Sequence, residues 1–362
     1  DLHYPLRRQR QMCIRDSYGV ERAIDLAYAA RRHFPAEQPV YILGEIIHNP
    51  HVNEQIRDMG VTFLTGSHKS ADVEDLGEGD PVVIPAFGTE VGIRDELTKR
   101  GCTIIDATCG DVMSVWKRVR QNARGKGTSI IHGKAWHEET MATSSQAIAK
   151  NGHYLVVNTF EETDLVCDYI INGGDKEALL KRFDGCYSEG FDPDTHLRAV
   201  GVANQTTMMR GETEEVQRRI KAAIQKRYGA ENTDTHFRFF DTICGATQDR
   251  QDALEVMLQE PLDLLLVIGG YNSSNTSHLA EMGERVLPTY FIKNVKEING
   301  PQTIRHWNQH KQQLEETPHW LPEGPIRVGI TAGASCPNNL IEDVINHLLE
   351  LRNTSAEEFL AN

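Results

Sequence analysis

The chain has 362 residues, 39% of them hydrophobic, and a formal net charge of −14. That length carries two or three domains around a well-buried core, and no apolar run is long enough to span a bilayer. The acidic balance argues against a general nucleic-acid binder, so an anionic ligand needs a locally favourable pocket.

Cys13, Cys102, Cys109, Cys167, Cys186, Cys244 and Cys336 are odd in number, scattered, and form no C-x-x-C pair. Such usage is no disulfide framework and fits a reducing cytoplasm. No signal-peptide pattern is present. Residues 1–16 crowd Arg7, Arg8, Arg10 and Arg15 into a stretch without period. They read as a disordered or non-authentic segment, as a sequencing or assembly scar would be.

From Tyr18 the pattern alternates β and α. Val20, Ile24, Ala27 and Tyr28 have helical spacing, and Val40–Leu43 is a short buried-type strand. A polar turn holding His48 and His51 leads into a helix from Val52. A strand follows at 61–64, then the run 81–88, which ends in a glycine turn before a helix from about Glu90. The strand 102–105 delivers Asp106-Ala107-Thr108-Cys109-Gly110. The alternation then repeats, with strands at 128–132, 154–157 and 197–202 and a polar helix over 212–228. The segment 168–196 reads as an irregular, charged insertion. A third round opens at Phe237, where Phe239-Phe240-Asp241-Thr242-Ile243-Cys244-Gly245 echoes the first cysteine turn. Its strands are expected at 262–268, 290–292 and 326–330, before a C-terminal helix.

Short apolar strands between amphipathic helices imply parallel sheets. The expected fold is α/β, a trefoil of three pseudo-equivalent units with mostly parallel sheets around a central site. The expected boundaries are 17–108, 109–243 with the insertion near 168–196, and 244–335. A C-terminal helix and tail occupy 336–362.

A thiol at a strand-to-helix turn lies at the positive end of a helix dipole, which favours the metal-binding or nucleophilic thiolate. Two turns of one design in one chain suggest two ligands, Cys109 and Cys244, on one centre. Ligands of parallel α/β sheets bind beyond the carboxyl ends of the strands. His48, His132, His137, Glu139, Thr206, Thr207, Ser273, Ser274, Asn275 and Ser335 fall at such ends or at the helix starts that follow. Serine, threonine and asparagine there also serve as plain helix caps. Ser273-Ser274-Asn275, after a Gly-Gly strand end, equally suits an anion cradle. A zinc hydrolase built on Cys109, Cys244 and His137 is a further reading of the same residues.

The motifs His48-Asn49-Pro50-His51-Val52-Asn53, Asp106–Cys109, His137-Glu138-Glu139-Thr140, Asn204-Gln205-Thr206-Thr207, Asn272-Ser273-Ser274-Asn275 and Thr331–Ser335 together resemble the 4-hydroxy-3-methylbut-2-enyl diphosphate reductase family. Pro85-Ala86-Phe87-Gly88 resembles its plant and cyanobacterial branch, other branches having histidine at the place of Phe87. The resemblance implies one oxygen-sensitive 4Fe–4S cluster held by three thiolates, with Cys109 and Cys244 as two of them. It implies Glu139 as proton source and Thr206, or alternatively Thr207, on the substrate hydroxyl. His48, His137, Ser273, Ser274, Asn275 and Ser335 are implied to hold the diphosphate. Isopentenyl and dimethylallyl diphosphate are the implied products, and ferredoxin or a similar small carrier the electron donor. The implied compartment is the cytoplasm, or the plastid stroma in a plant or alga. The chain departs from the family at the third thiolate, where Ser17 stands, with Cys13 as a poor substitute. That departure leaves open a degenerate, cluster-free diphosphate-binding relative.

Overall fold

The computed structural model describes residues 18–240 and 242–354. Ser17, Cys13 and Asp241 therefore lie outside the described residues, as does the segment 1–16. The chain divides into two compact units, a larger one of Gly19–Ile47 and Val52–Cys244 and a smaller one of Tyr18, His48–His51 and the chain from Gly245.

The larger unit holds two four-stranded sheets of one design. The first uses α1 (Tyr18–His33), β1 (Val40–Ile42), α2 (Pro50–Asp58), β2 (Val61–Phe63), β3 (Pro81–Ile84), α3 (Val91–Lys99) and β4 (Thr103–Asp106). Its strands lie in the order β2-β1-β3-β4, all parallel. Ala23, Ala27 and Ala30 line one face of α1 at helical spacing, and small side chains there let the helix lie close over Val40, Ile42 and Val83. α4 (Gly110–Arg124) opens the second round, followed by β5 (Thr128–His132), α5 (Glu138–Ile148), β6 (Tyr154–Val157), α6 (Phe160–Asn172), α7 (Lys176–Arg182), α8 (Pro193–His196), β7 (Val200–Asn204), α9 (Arg210–Tyr228), α10 (Thr233–His236) and β8 (Phe237–Phe239). The order β6-β5-β7-β8 repeats the first sheet's, again all parallel. Every residue of β5 and β7 is buried, as strands covered on both faces must be.

The smaller unit contains α11 (Gly245–Met257), β9 (Leu264–Ile268), α12 (Ser274–Glu284), β10 (Thr289–Ile292), β11 (Thr303–Asn308), β12 (Gln313–Pro318), β13 (Val328–Ala332) and α13 (Asn338–Leu351). Its parallel sheet runs β10-β9-β13, the same order without the fourth strand. Leu264, Leu266 and Ile268 pack on one face with Ile292, Trp320 and Val344, while Leu265 and Val267 meet Leu279 and Phe291 on the other.

Two elements differ from the sequence expectation. The segment 168–196 is not irregular: it ends α6 and contains α7 and α8. The Asp175 carboxylate accepts from the Ala178 N–H at 3.0 Å to start α7. Leu179, Phe183 and Phe191 then join the core of the second sheet, an apolar set that the surrounding charges hid. The antiparallel hairpin β11–β12 was not foreseen.

Candidate functional site

In the larger unit, β4 ends at Asp106, whose carboxylate folds the next turn. It accepts from the Thr108 N–H at 3.0 Å, the Thr108 hydroxyl at 2.6 Å and Arg94 at 2.5 Å. Burial pushes the Asp106 carboxyl up, but these donors outweigh it and hold its pKa below the ordinary value. Arg22 of α1 clamps the same turn through the carbonyls of Asp106 and Thr108. Cys109 follows as the N-cap residue of α4, its N–H donating to the Ala86 carbonyl at 2.8 Å. The thiol is half-buried and packs beside Val112, Trp116 and Ala142. Burial raises its pKa; the N–H groups of Asp111 and Val112 pull downward, and the negative charges of Asp111 and Glu139 push it further up.

The second strand end is organised by a buried carboxylate. Glu139, 3% exposed, lies in the first turn of α5. Its Oε1 accepts from the Thr206 N–H at 2.6 Å and its Oε2 from the Thr206 hydroxyl at 3.0 Å. The Thr206 carbonyl in turn accepts the N–H of Cys244 at 3.1 Å. One residue beyond β7 thus touches both the carboxylate and the second thiol-bearing turn. His137 is the N-cap of α5, its Nδ1 accepting from the Glu139 N–H at 3.2 Å, which leaves Nε2 to carry the proton of the neutral ring. Its ring stands edge-on to Phe87, centroids 6.4 Å apart. Thr207 points elsewhere: its hydroxyl accepts from Gln205 Nε2 at 2.8 Å. Gln205 Oε1 accepts from the Lys134 N–H and the Thr140 hydroxyl, tying β7 to the start of α5. Asn204, fully buried, donates to the Gln205 carbonyl and accepts from Thr242. Most of these supporting roles were invisible in the sequence because they join residues tens of positions apart or run from side chain to main chain.

In the smaller unit three segments meet. Gly270 lets the chain pass the His48 carbonyl, which an added Cβ would approach to 2.5 Å. Asn49 Nδ2 donates to the Ser335 carbonyl at 2.9 Å, and the Ser335 hydroxyl donates to the His48 carbonyl at 3.3 Å. Asn272 Nδ2 lies 3.5 Å from His48 Nδ1. Ser273 is the N-cap of α12, its hydroxyl accepting from the Thr276 N–H at 3.3 Å and the Thr276 hydroxyl at 2.9 Å. Ser274 and Asn275 are the first two residues of that helix, where N–H groups have no partner within the helix. Asn275 is 2% exposed, yet neither Nδ2 nor Oδ1 has a hydrogen-bond partner among the described residues. An unsatisfied buried amide costs about 1–3 kcal/mol, a cost that a bound ligand removes. Helix N-terminus, His, Ser and Asn are gathered here, a donor set whose chemistry suits an anion.

Burial pushes Cys167 and Cys336 up to about 12. Cys109 packs against α1 at Gly19: a Cβ there would overlap its Sγ outright, so glycine is what lets the sulfur occupy this place. Two soft sulfur donors at helix starts suit an iron–sulfur group by their donor chemistry.

The chain matches the family model described as LytB protein over residues 8–349. It is 47% identical over 336 residues to a 4-hydroxy-3-methylbut-2-enyl diphosphate reductase of Synechococcus sp. (strain ATCC 27144), covering 92% of this chain and 83% of that one. A reductase of the same name from Thermosynechococcus vestitus is 47% identical over 93% of this chain and 83% of its own length. A solved (E)-4-hydroxy-3-methyl-but-2-enyl diphosphate reductase, described as the terminal enzyme of the non-mevalonate pathway, aligns at a TM-score of 0.55 and 29% identity over 92% of this chain and 95% of that one. The reductase of Plasmodium falciparum, at 22% identity over 91% of this chain and 84% of that one, shares the fold with a TM-score of 0.66.

Proposed function

We infer that this chain, which belongs to the LytB family, is a 4-hydroxy-3-methylbut-2-enyl diphosphate reductase, an iron–sulfur oxidoreductase of isoprenoid biosynthesis. The reaction replaces the allylic C–O bond by C–H: R–OH, two electrons and two protons give R–H and water. Isopentenyl and dimethylallyl diphosphate are the products.

Cys109 and Cys244 hold one 4Fe–4S cluster in this reading, with the third ligand belonging at position 17. Bound there, the cluster supplies electrons one at a time. His48, Ser273, Ser274, Asn275 and Ser335 hold the diphosphate, with His137 assigned to the same group. Asn275 gives its amide to a phosphoryl oxygen, and the start of α12 stabilises the charge. Glu139 carries the proton that leaves with the hydroxyl as water, and burial keeps bulk solvent from competing for it. The Thr206 hydroxyl fixes the carboxylate and orients the substrate hydroxyl; Thr207 is engaged with Gln205. A small one-electron carrier such as ferredoxin is the donor, and the compartment is the cytoplasm or plastid stroma. The cluster-free alternative has no support beyond Ser17.

What carries the reading within this chain is the run Glu139–Thr206–Cys244: a proton source and a sulfur donor are fixed by one residue at one strand end. The test is anaerobic turnover with dithionite-reduced methyl viologen, comparing the Ser17→Cys protein with its Glu139→Gln derivative. Gln is expected to lower kcat by about 10²–10⁴-fold with iron content unchanged. Absence of product from iron-loaded protein, or equal turnover by the two forms, overturns it.

A further inference from the structure

The larger unit carries a basic surface that stands out in a chain of net charge −14. α4, which starts directly after Cys109, exposes Lys117, Arg118 and Arg124 along one side, and Lys126 follows two residues beyond its end. Arg238 of β8, the edge strand of the second sheet, completes the set: a Cβ on Gly125 would lie 3.7 Å from its guanidinium nitrogen. None of these five cations has an ion-pair partner among the described residues. Apolar side chains are interleaved with them. Phe239 is 56% exposed, Met113 is 43% exposed, and the Arg118 guanidinium sits 5.5 Å over the Phe240 ring.

Cations near a helix C-terminus also complement its dipole, which accounts for Arg124. It does not account for Lys117 and Arg118 in mid-helix or Arg238 on a strand. Lys126 holds φ at 60°, a left-handed conformation that glycine would take with less strain.

We propose that this face of α4 and β8 docks a small acidic one-electron carrier protein that feeds the reductase. The location suits that role, and the inference rests on the reductase reading. α4 begins at one thiol, Cys109, and β8 leads within five residues to the other, Cys244. At 1.5 Å per residue, Lys117 and Arg118 lie only about 12–14 Å along the helix from Cys109. Cations without an ion-pair partner among the described residues steer an acidic partner, and the exposed Met113 and Phe239 supply the apolar contact that a short-lived complex needs. Two carriers arrive in turn; each is oxidised by one electron, and together they supply the pair that the C–O cleavage consumes.

The test is the triple variant Lys117→Glu, Arg118→Glu, Lys126→Glu, with the milder Lys117→Gln, Arg118→Gln pair beside it, both in the Ser17→Cys protein. Turnover is measured with reduced plant-type ferredoxin and, separately, with dithionite-reduced methyl viologen. Affinity for oxidised ferredoxin is measured by calorimetry at low and raised salt. The triple variant is expected to lose about tenfold or more in kcat/KM for ferredoxin, to lose the salt-sensitive binding, and to keep its methyl viologen rate. Unchanged ferredoxin kinetics and affinity overturn the proposal. Equal loss with both reductants also overturns it, by placing the effect in the site, and so does binding of a duplex DNA to this face in preference to ferredoxin. Failure of the unsubstituted protein with methyl viologen would instead strike the reductase reading.

Discussion

Replacing Thr206 with valine removes one hydroxyl from the site while preserving side-chain shape. In the native chain that hydroxyl donates to Glu139 Oε2 at 3.0 Å, and the Thr206 N–H donates to Oε1 at 2.6 Å. Valine keeps the second bond and abolishes the first. Glu139 is 3% exposed, so water cannot simply take the place of the lost donor. Leaving a buried acceptor without its donor costs about 1–3 kcal/mol, and that is the expected loss of stability. For domains of 150–250 residues it corresponds to roughly 2–4 °C of Tm per kcal/mol. The assay is thermal unfolding of the Thr206→Val and Thr206→Ser proteins at neutral pH, followed by turnover of both. Serine retains the hydroxyl and is expected to stay near wild type in both measurements, while valine loses stability and rate together. Valine and serine proteins of equal Tm and equal kcat would refute the reasoning that Thr206 fixes this carboxylate.

Other outcomes follow from the same geometry. Asn275→Ala removes a buried amide without partners among the described residues, so the ligand-free protein should be no less stable. Its affinity for inorganic pyrophosphate, read by calorimetry, should fall about tenfold or more. Gly19→Ala places a methyl group on the Cys109 sulfur and should lower the iron retained after anaerobic gel filtration. Asp106→Asn should cost about 1–2 kcal/mol at neutral pH by weakening the turn before Cys109. Because the folded-state pKa of Asp106 is depressed, its contribution is fully present above the unfolded value of about 3.9 and is lost as pH falls through the lower folded value. The stability gap between the two proteins should therefore close in acid, which denaturant titrations across pH would show.

Much of this was legible in the sequence because the strands are short, apolar and closely followed by glycine or helix-capping residues. Val40–Ile42, Thr128–His132 and Leu264–Ile268 are each the first strand of a round, and each pairs with the next strand on one side and a later one on the other, β3, β7 and β13 in turn. What failed was local. Leu179 and Phe183 are core residues inside a charged segment, and β11–β12 alternates too little apolar character to announce a hairpin. The polar strand ends were visible as a group, but their division of labour was not. Ser273 does cap a helix, the plainer of the two readings, and so does His137. Asn275, two residues on from Ser273, is the one left with an unsatisfied amide. Glu139 and Thr206 are 67 residues apart, and only the pairing of β5 with β7 brings their strand ends side by side.

The central claim is that sulfur atoms from two separate α/β rounds serve one iron centre. Iron and acid-labile sulfide bound per chain, measured on anaerobically purified Ser17→Cys protein and on its Cys109→Ser and Cys244→Ser derivatives, address it directly. Each single serine substitution should strip most of the iron and the visible absorption together, since neither cysteine holds the group alone. Retention of undiminished iron by either derivative would contradict the account.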